Sequence, residues 1–242
     1  MTESASPGVT DDVVSGYPHV DADWDAFTDS LILDTGLPRR EHFVTAIVVS
    51  HDGEVWLPAV LTTLARQTRP VSLVVGVDNA SQDSSSSVLR ESLGSDAIVE
   101  LEANDGFGAA AAAGFASVAA RQPTLPDDVV HWVWLLHDDS APDPTCLERL
   151  LQVADEHPSA DVLGPKILGW HDRRLLLEVG VSIDGDGRRV TGLERREYDQ
   201  GQHDGVRDVM AVSSAGMLIR QDVWEELSGF DPRLPLYRDD VD

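Results

Sequence analysis

Positive charge is scarce in this chain. Across 242 residues, 18 Lys and Arg stand against 43 Asp and Glu, a formal net charge of -25. Such a surface works against unaided binding to nucleic acid or to an anionic bilayer face. Lys166 is the sole lysine, and the remaining cations are arginine. Cysteine is almost absent too: with Cys146 alone, an internal disulfide and a cysteine-rich metal site are both excluded, as suits a reducing interior. No stretch approaches the roughly 18 consecutive apolar residues of a membrane span. The first residues are acidic and lack the basic and apolar regions of a signal peptide, so a cytoplasmic location is expected. No internal repeat is visible, and the serine run 84–87 reads as a solvated helix start.

What is present suffices for a sizeable core. At 42% hydrophobic residues, the chain fits one large α/β domain or one domain with an appendage. Residues 1–42 mix Ser, Gly and Pro with Asp, and only Trp24, Phe27, Leu31 and Ile32 are spaced like one face of a short helix. This segment is read as an acidic N-terminal tail or docking segment, and 43–242 as the domain proper.

Within that domain, apolar runs alternate with amphipathic stretches. Segments 43–50 (FVTAIVVS), 71–77 (VSLVVGV), 97–101 and 129–136 (VVHWVWLL) read as strands. Segments 54–67, 84–93 and the alanine-rich 107–120 read as helices, with Pro58 tolerable in a first turn. The last strand is near-continuously apolar, as expected when helices cover both faces, and Trp132 and Trp134 on it read as core. This alternation predicts a mostly parallel sheet sandwiched by helices. In the C-terminal half, 161–168 reads as a strand kinked at Gly164-Pro165. Segments 175–183 and 188–196 read as a small antiparallel hairpin about the turn Asp184-Gly185-Asp186-Gly187, and 206–220 as further strand. A short helix over 222–227 is expected, with Asp222 near its N-cap.

Ligands of such sheets sit beyond the carboxyl ends of the strands, and this chain places its polar clusters there. They are Ser50-His51-Asp52, Asp78-Asn79, Asn104-Asp105-Gly106 and His137-Asp138-Asp139. A further acidic cluster, Asp239-Asp240-Val241-Asp242, follows Gly229-Phe230-Asp231 and Tyr237. Carboxylates repel one another, so concentrating them fits holding a hard divalent cation and supplying a base.

In order and spacing, segments 45–52 (TAIVVSHD), 77–83 (VDNASQD), 104–114 (NDGFGAAAAAG), 135–142 (LLHDDSAP), 164–168 (GPKIL), 214–220 (SAGMLIR) and 229–242 resemble the family-2 glycosyltransferases of the GT-A fold. The detailed pattern is most similar to the rhamnosyl- and galactofuranosyl-transferase-like branch of bacterial cell-envelope enzymes. The resemblance implies an inverting enzyme that moves a sugar from a UDP- or dTDP-sugar to a hydroxyl of a cell-envelope glycan or lipid-linked acceptor.

That resemblance also assigns residues. Ser50, His51, Asp52, Asp78 and Asn79 would hold the base and ribose, with Asp78 accepting from the imide of uracil or thymine. Asn104, Gly106 and Gly108 would start a helix beneath the nucleotide, where small residues allow close approach. Asp138 is grouped with these donor contacts. Asp139 aligns with the second Asp of the metal-binding Asp-x-Asp, while His137 replaces the first. A divalent cation, Mn²⁺ or Mg²⁺, is therefore expected to offset the diphosphate charge. Asp240 takes the place of the base and Asp239 that of its Glu companion, with Asp242 orienting acceptor or base. Ser214, Ala215 and Gly216 would line the acceptor side.

The sequence departs from the family at His137 and at Ala111 and Ala112, where relatives often carry polar residues. It also stops at the acidic triplet, where relatives continue. A truncated piece of a longer enzyme, membrane-associated through parts outside this chain, is the resulting expectation. A non-catalytic nucleotide-sugar-binding or scaffold module on the same fold is the alternative. A sugar-nucleotide pyrophosphorylase fits poorly, because Ser50-His51-Asp52-Gly53-Glu54 is not its Gly-rich basic loop.

Overall fold

Residues 40–186, 188–231 and 233 are described by a computed structural model of the chain. The tail reading for 1–39 and the roles given to Asp239, Asp240 and Asp242 lie outside the described residues. The hydrophobic runs become β1 (His42–Ser50), β2 (Leu73–Asn79), β3 (Ile98–Leu101) and β4 (Val130–His137). These pair in parallel in the order β3-β2-β1-β4. The sheet continues with β10 (Leu218–Arg220), antiparallel to β4, and ends on the short β5 (Val162–Leu163). The expected mostly parallel α/β sheet is thus present.

Two faces of the sheet follow from the alternation of side chains along each strand. Ala46 and Val48 of β1 and Trp132, Trp134 and Leu136 of β4 face one helical layer. That layer is α1 (Leu57–Ala65), α2 (Ser85–Leu93) and α4 (Cys146–Glu156). Ile47 and Val49 of β1 with Val133 and Leu135 of β4 face the other, made by α3 (Phe107–Val118) and α5 (Gln221–Leu227). Both tryptophans are core, as expected, and each indole N–H has a partner: Trp132 donates to His42 Nδ1 (3.0 Å) and Trp134 to the Gly216 carbonyl (3.2 Å). Because Trp132 can only donate, Nδ1 of His42 accepts, and the ring proton sits on Nε2 facing Asp155 Oδ1 at 3.0 Å. His42 is therefore a buried structural pin at the start of β1.

Helix α3 lies close on the sheet because it is built of small residues. A Cβ on Gly114 would come within 2.7 Å of Val77 Cγ2 and 2.8 Å of Ile47 Cγ2. Ala111 is buried in this layer, so a polar side chain there would meet the sheet core, while Ala112 is exposed.

Helix α4 has no counterpart in the sequence reading, although Leu147, Leu150, Leu151 and Ala154 repeat at helical spacing and are its buried residues. Asp143 marks its start by accepting from the Thr145 amide and hydroxyl, both at 3.0 Å. Three expectations in the second half are corrected. The run 161–168 divides between sheets, as β5 and then β6 (Ile167–Leu168), which pairs with β7 (Leu176–Glu178). The run 175–183 is not one strand: it breaks at Gly180 (φ +84°), where a Cβ would meet Val209 Cγ1 at 2.3 Å. Only β8 (Ser182–Ile183) and β9 (Arg189–Val190) form the hairpin, closed by Asp184 Oδ1 accepting from the Asp186 and Arg188 amides. Of 206–220, β10 alone is strand, since only there does β4 offer an edge to pair with. Asp222 sits in the first turn of α5, and Arg220 holds the cap position.

Candidate active site

Strand order reverses between β1 and β4: the chain lays β2 and β3 on one side of β1, then returns to place β4 on the other. A crevice opens beyond the carboxyl ends of the strands at such a switch point. Register sets its walls, with Ser50 opposite Asp78 and Val49 opposite His137. Alternation then sorts the side chains. Ser50, Asp78 and Asp138 fall on the α1/α2 side, and Asn79 and His137 on the α3 side.

On the α3 side, Asn79 Nδ2 donates to Asn104 Oδ1 at 2.8 Å, and the same oxygen accepts from the Gly106 amide at 3.0 Å. Gly106 takes φ +96° as the cap residue of α3, so Asn104 and Asn79 together fix the helix N-terminus beside β2. His137 packs on Phe107 (ring centroids 4.2 Å apart), and its Nε2 lies 3.0 Å from Ser214 Oγ. Phe230 completes this wall: it lies 6.3 Å from Phe107 and leaves no slack at Gly108, where a Cβ would be 3.1 Å from Phe230 Cβ.

On the other side, Asp138 turns back towards β1. Its Oδ2 accepts from Ser50 Oγ (3.0 Å) and from the His51 amide (2.9 Å). Burial pushes its carboxyl above the ordinary range against those two hydrogen bonds. Asp139, one residue on, is exposed in the turn closed by the Ser140 amide on the His137 carbonyl. The divergence of the two carboxylates is that expected of neighbours at a strand end.

The loops after β1 and β2 are laced together by Asp52 and by Ser81, Asp83 and Ser85, to which the sequence reading gave no role. Asp52 Oδ1 accepts from the Gln82 amide (2.6 Å), and Ser81 Oγ accepts from the Asp52 amide (3.1 Å). Ser85 Oγ accepts from the Gly53 amide (2.8 Å), and Asp83 Oδ2 from the Glu54 amide (3.0 Å). An Asp-Ser pair leading into a helix was the available signal. His51 Nδ1 meets the Asn79 carbonyl at 2.8 Å. Amid this lacing, two oxygens have no hydrogen-bond partner among the described residues. Asp78 Oδ1 and Asn79 Oδ1 are both buried acceptors at the end of β2.

The structure therefore brings together Ser50, His51, Asp52, Asp78, Asn79, Asn104, Gly106, His137, Asp138 and Asp139 around one crevice. Ser214 joins them through His137. Gly216 is packed under Pro165, whose Cγ would stand 2.9 Å from a Cβ there. Ala215 is half-buried beside it. A cavity of about 550 Å³ between α1 and α2, lined by Leu61, Leu64, Val71 and Val88, lies away from all of these residues.

A sequence profile described as glycosyltransferase like family 2 matches residues 38–242. The chain belongs to that family. No curated protein sequence matches the chain. Among solved structures, this family-2 domain is similar to S. aureus TarS 1-349 (TM-score 0.54, 21% identity, covering 81% of this chain and 52% of that one). The TarS 1-349 complex with UDP is similar as well (TM-score 0.51, 19% identity, 81% and 52%). A looser likeness is to the mannosyltransferase PcManGT from Pyrobaculum calidifontis in complex with GDP-Man and Mn²⁺ (TM-score 0.47, 17% identity, 82% and 49%). The chain spans about half the length of these structures. At such identities the two TarS likenesses establish the fold alone, which is that of the GT-A enzymes.

For the cation that the family implies, the residues fit in part. Among the described residues, no three of His, Cys, Asp and Glu converge to hold an ion. A hard cation shared with a diphosphate takes only one or two protein carboxylates, and exposed Asp139 can supply one. Through Nε2, His137 could join only by giving up Ser214.

Proposed function

We propose that this domain, with its body over 43–242, is an inverting glycosyltransferase. Its donor is a UDP- or dTDP-sugar, and its acceptor is a hydroxyl of a cell-envelope glycan or lipid-linked saccharide at the cytoplasmic face of the membrane. The observation that carries the reading is the pair of buried, unpartnered oxygens of Asp78 and Asn79 at the switch-point crevice. A buried acceptor without a donor costs on the order of 1–3 kcal/mol, which a ligand N–H or O–H would recover. The imide N–H of a pyrimidine base matches Asp78, and a ribose hydroxyl matches Asn79. The amino end of α3, set by Asn104 and Gly106, favours the negative charge of the diphosphate.

Asp139 would hold the cation with diphosphate oxygens and water, and the cation when bound supplies charge neutralisation for the leaving group. Asp240 takes the proton of the acceptor hydroxyl as its oxygen bonds to the anomeric carbon and the bond to the diphosphate oxygen breaks. Asp239 and Asp242 orient that base and the acceptor. Attack opposite the leaving group inverts the anomeric centre. The resemblance of the sequence pattern to the rhamnosyl- or galactofuranosyl-transferase-like branch supports placing the donor there, and the TarS complex recommends UDP as the first probe.

A non-catalytic nucleotide-sugar-binding module is favoured by one observation, the His137–Ser214 contact where the family keeps an Asp for metal. Calorimetric titration with UDP, dTDP and GDP, each with and without Mn²⁺, tests both readings. Metal-dependent binding of one nucleotide that Asp139→Ala abolishes supports the transferase. Equal binding with and without metal favours the module, and no binding to any nucleotide removes both.

A further inference from the structure

Asp138 occupies the middle of the acidic cluster but does not present its bonded oxygen to the crevice. One oxygen, Oδ2, takes both the Ser50 hydroxyl and the His51 amide. These donors belong to the end of β1, while Asp138 belongs to the turn after β4, so the two hydrogen bonds cross the point where strand order reverses. The fit is tight: a Cβ on Gly53 would stand 2.2 Å from Oδ2 and 2.5 Å from Cγ. Gly53 is thus the residue that makes room for this carboxylate. The loop so held carries His51, which contacts the Asn79 carbonyl, and Asp52, which holds the Gln82 amide. The turn so held carries Asp139.

We propose that Asp138 is a positioning residue whose carboxylate latches the β1 loop to the β4 turn and sets the spacing between the base pocket and Asp139. The proposal rests on the nucleotide-sugar reading above for its consequence, though not for its geometry. It recasts Asp138 from a donor contact to a brace. Physically, two hydrogen bonds to one ionised oxygen are stronger than neutral ones, and a half-buried brace of this kind restricts a loop before any ligand arrives.

Two measurements on the whole chain test it. The first is amide hydrogen exchange without nucleotide. In Asp138→Ala, the His51 amide is expected to exchange at least about tenfold faster, the order of effect of losing a hydrogen bond to a charged group. Amides of Ile47 and Val49 within β1 should hold their protection. Asp138→Asn keeps an acceptor oxygen and should stay within about threefold of the wild type. Gly53→Ala evicts the carboxylate without removing it and should reproduce the Asp138→Ala pattern.

The second measurement is UDP titration, where Asp138→Ala is expected to weaken binding about tenfold and Asp138→Asn to recover most of it. Unchanged exchange at His51 in Asp138→Ala overturns the latch, and so does weakened UDP binding without a change in exchange, which would mean direct contact with the nucleotide. If the wild type binds no nucleotide, the functional reading falls, yet the exchange result still decides the latch. Should Asp138→Ala fail to fold, Ser50→Ala removes one of the two hydrogen bonds from the β1 side, and unchanged exchange there also overturns the proposal.

Discussion

Between β1 and β4, order comes from burial. Val44, Ala46, Ile47 and Val48 of β1 and Trp132 to Leu136 of β4 are all closed off from solvent, with helices on both faces. From β6 to β9, few side chains are buried, Leu176 and Val181 among them, and polar ties between short pieces supply much of the order. Lys166 bridges Asp199 (2.6 Å) and Asp204. Glu197 accepts from Gln202, and His203 lies 2.8 Å from it. The strands there run two or three residues each, and Val206, Met210 and Tyr198 are exposed. Hydrophobic burial fixes a fold cooperatively and with little dependence on salt or pH, whereas exposed ion pairs contribute weakly and respond to both. The parallel region therefore makes a rigid floor for the crevice, and the later region is the part where conditions and substitutions can change shape without unfolding the floor.

Four measurements would break or sharpen this contrast. The largest effect belongs to Trp134→Ala, which empties the centre of the parallel region and frees the Gly216 carbonyl; denaturant unfolding should show a loss of about 4 kcal/mol. Its counterpart Tyr198→Ala, on a half-exposed ring under Arg174, should cost below about 1 kcal/mol. Similar losses at both positions would erase the distinction.

Next comes Asp78→Ala, within the rigid region but at an oxygen without a partner. UDP affinity should fall at least about tenfold while the unfolding midpoint stays or rises, because no described residue donates a hydrogen bond to Oδ1. A large drop in stability would show instead that Asp78 serves the fold. Lys166→Met follows, with an expected cost under about 1 kcal/mol that shrinks further in 0.5 M salt, read by thermal melts. An equal cost at low and high salt would mean the lysine acts through packing.

The smallest effect is in acid. The Glu197 carboxyl is pulled down to about 2, first by the Gln202 side chain, then by the Glu194 amide and His203. A depressed carboxyl stabilises the fold above its ordinary value of 4.5 and loses that contribution as pH falls towards 2. Amide exchange around 197–204 should accordingly rise between pH 4.5 and 2 before that of β1 or β4. Simultaneous opening would show the two regions to be one cooperative unit.

The same contrast explains what could be read beforehand. In the parallel region, segments such as 129–136 announce themselves by continuous apolar character, and β4 falls within a residue of the expected bounds. In the later region, 206–220 carries the same kinds of residue but forms only three residues of strand, because pairing depends on an edge supplied by distant sequence. Helix α4 shows the opposite case, a periodicity that was present and went unread.

For the site, the sequence by itself determined which chemical groups stand at each strand end, since strand length and alternation place Ser50, Asp78, Asn79 and His137 there. Family membership followed from the order of those clusters. Only the tertiary structure decided their partners. Nothing local tells that Asp138 would reach across to Ser50 and His51, that Ser214 would meet His137, or that Asp78 and Asn79 would each keep an oxygen without a partner. Those outcomes depend on the reversal of strand order that sets β4 beside β1, a packing choice made by the whole hydrophobic core and not by any segment within it.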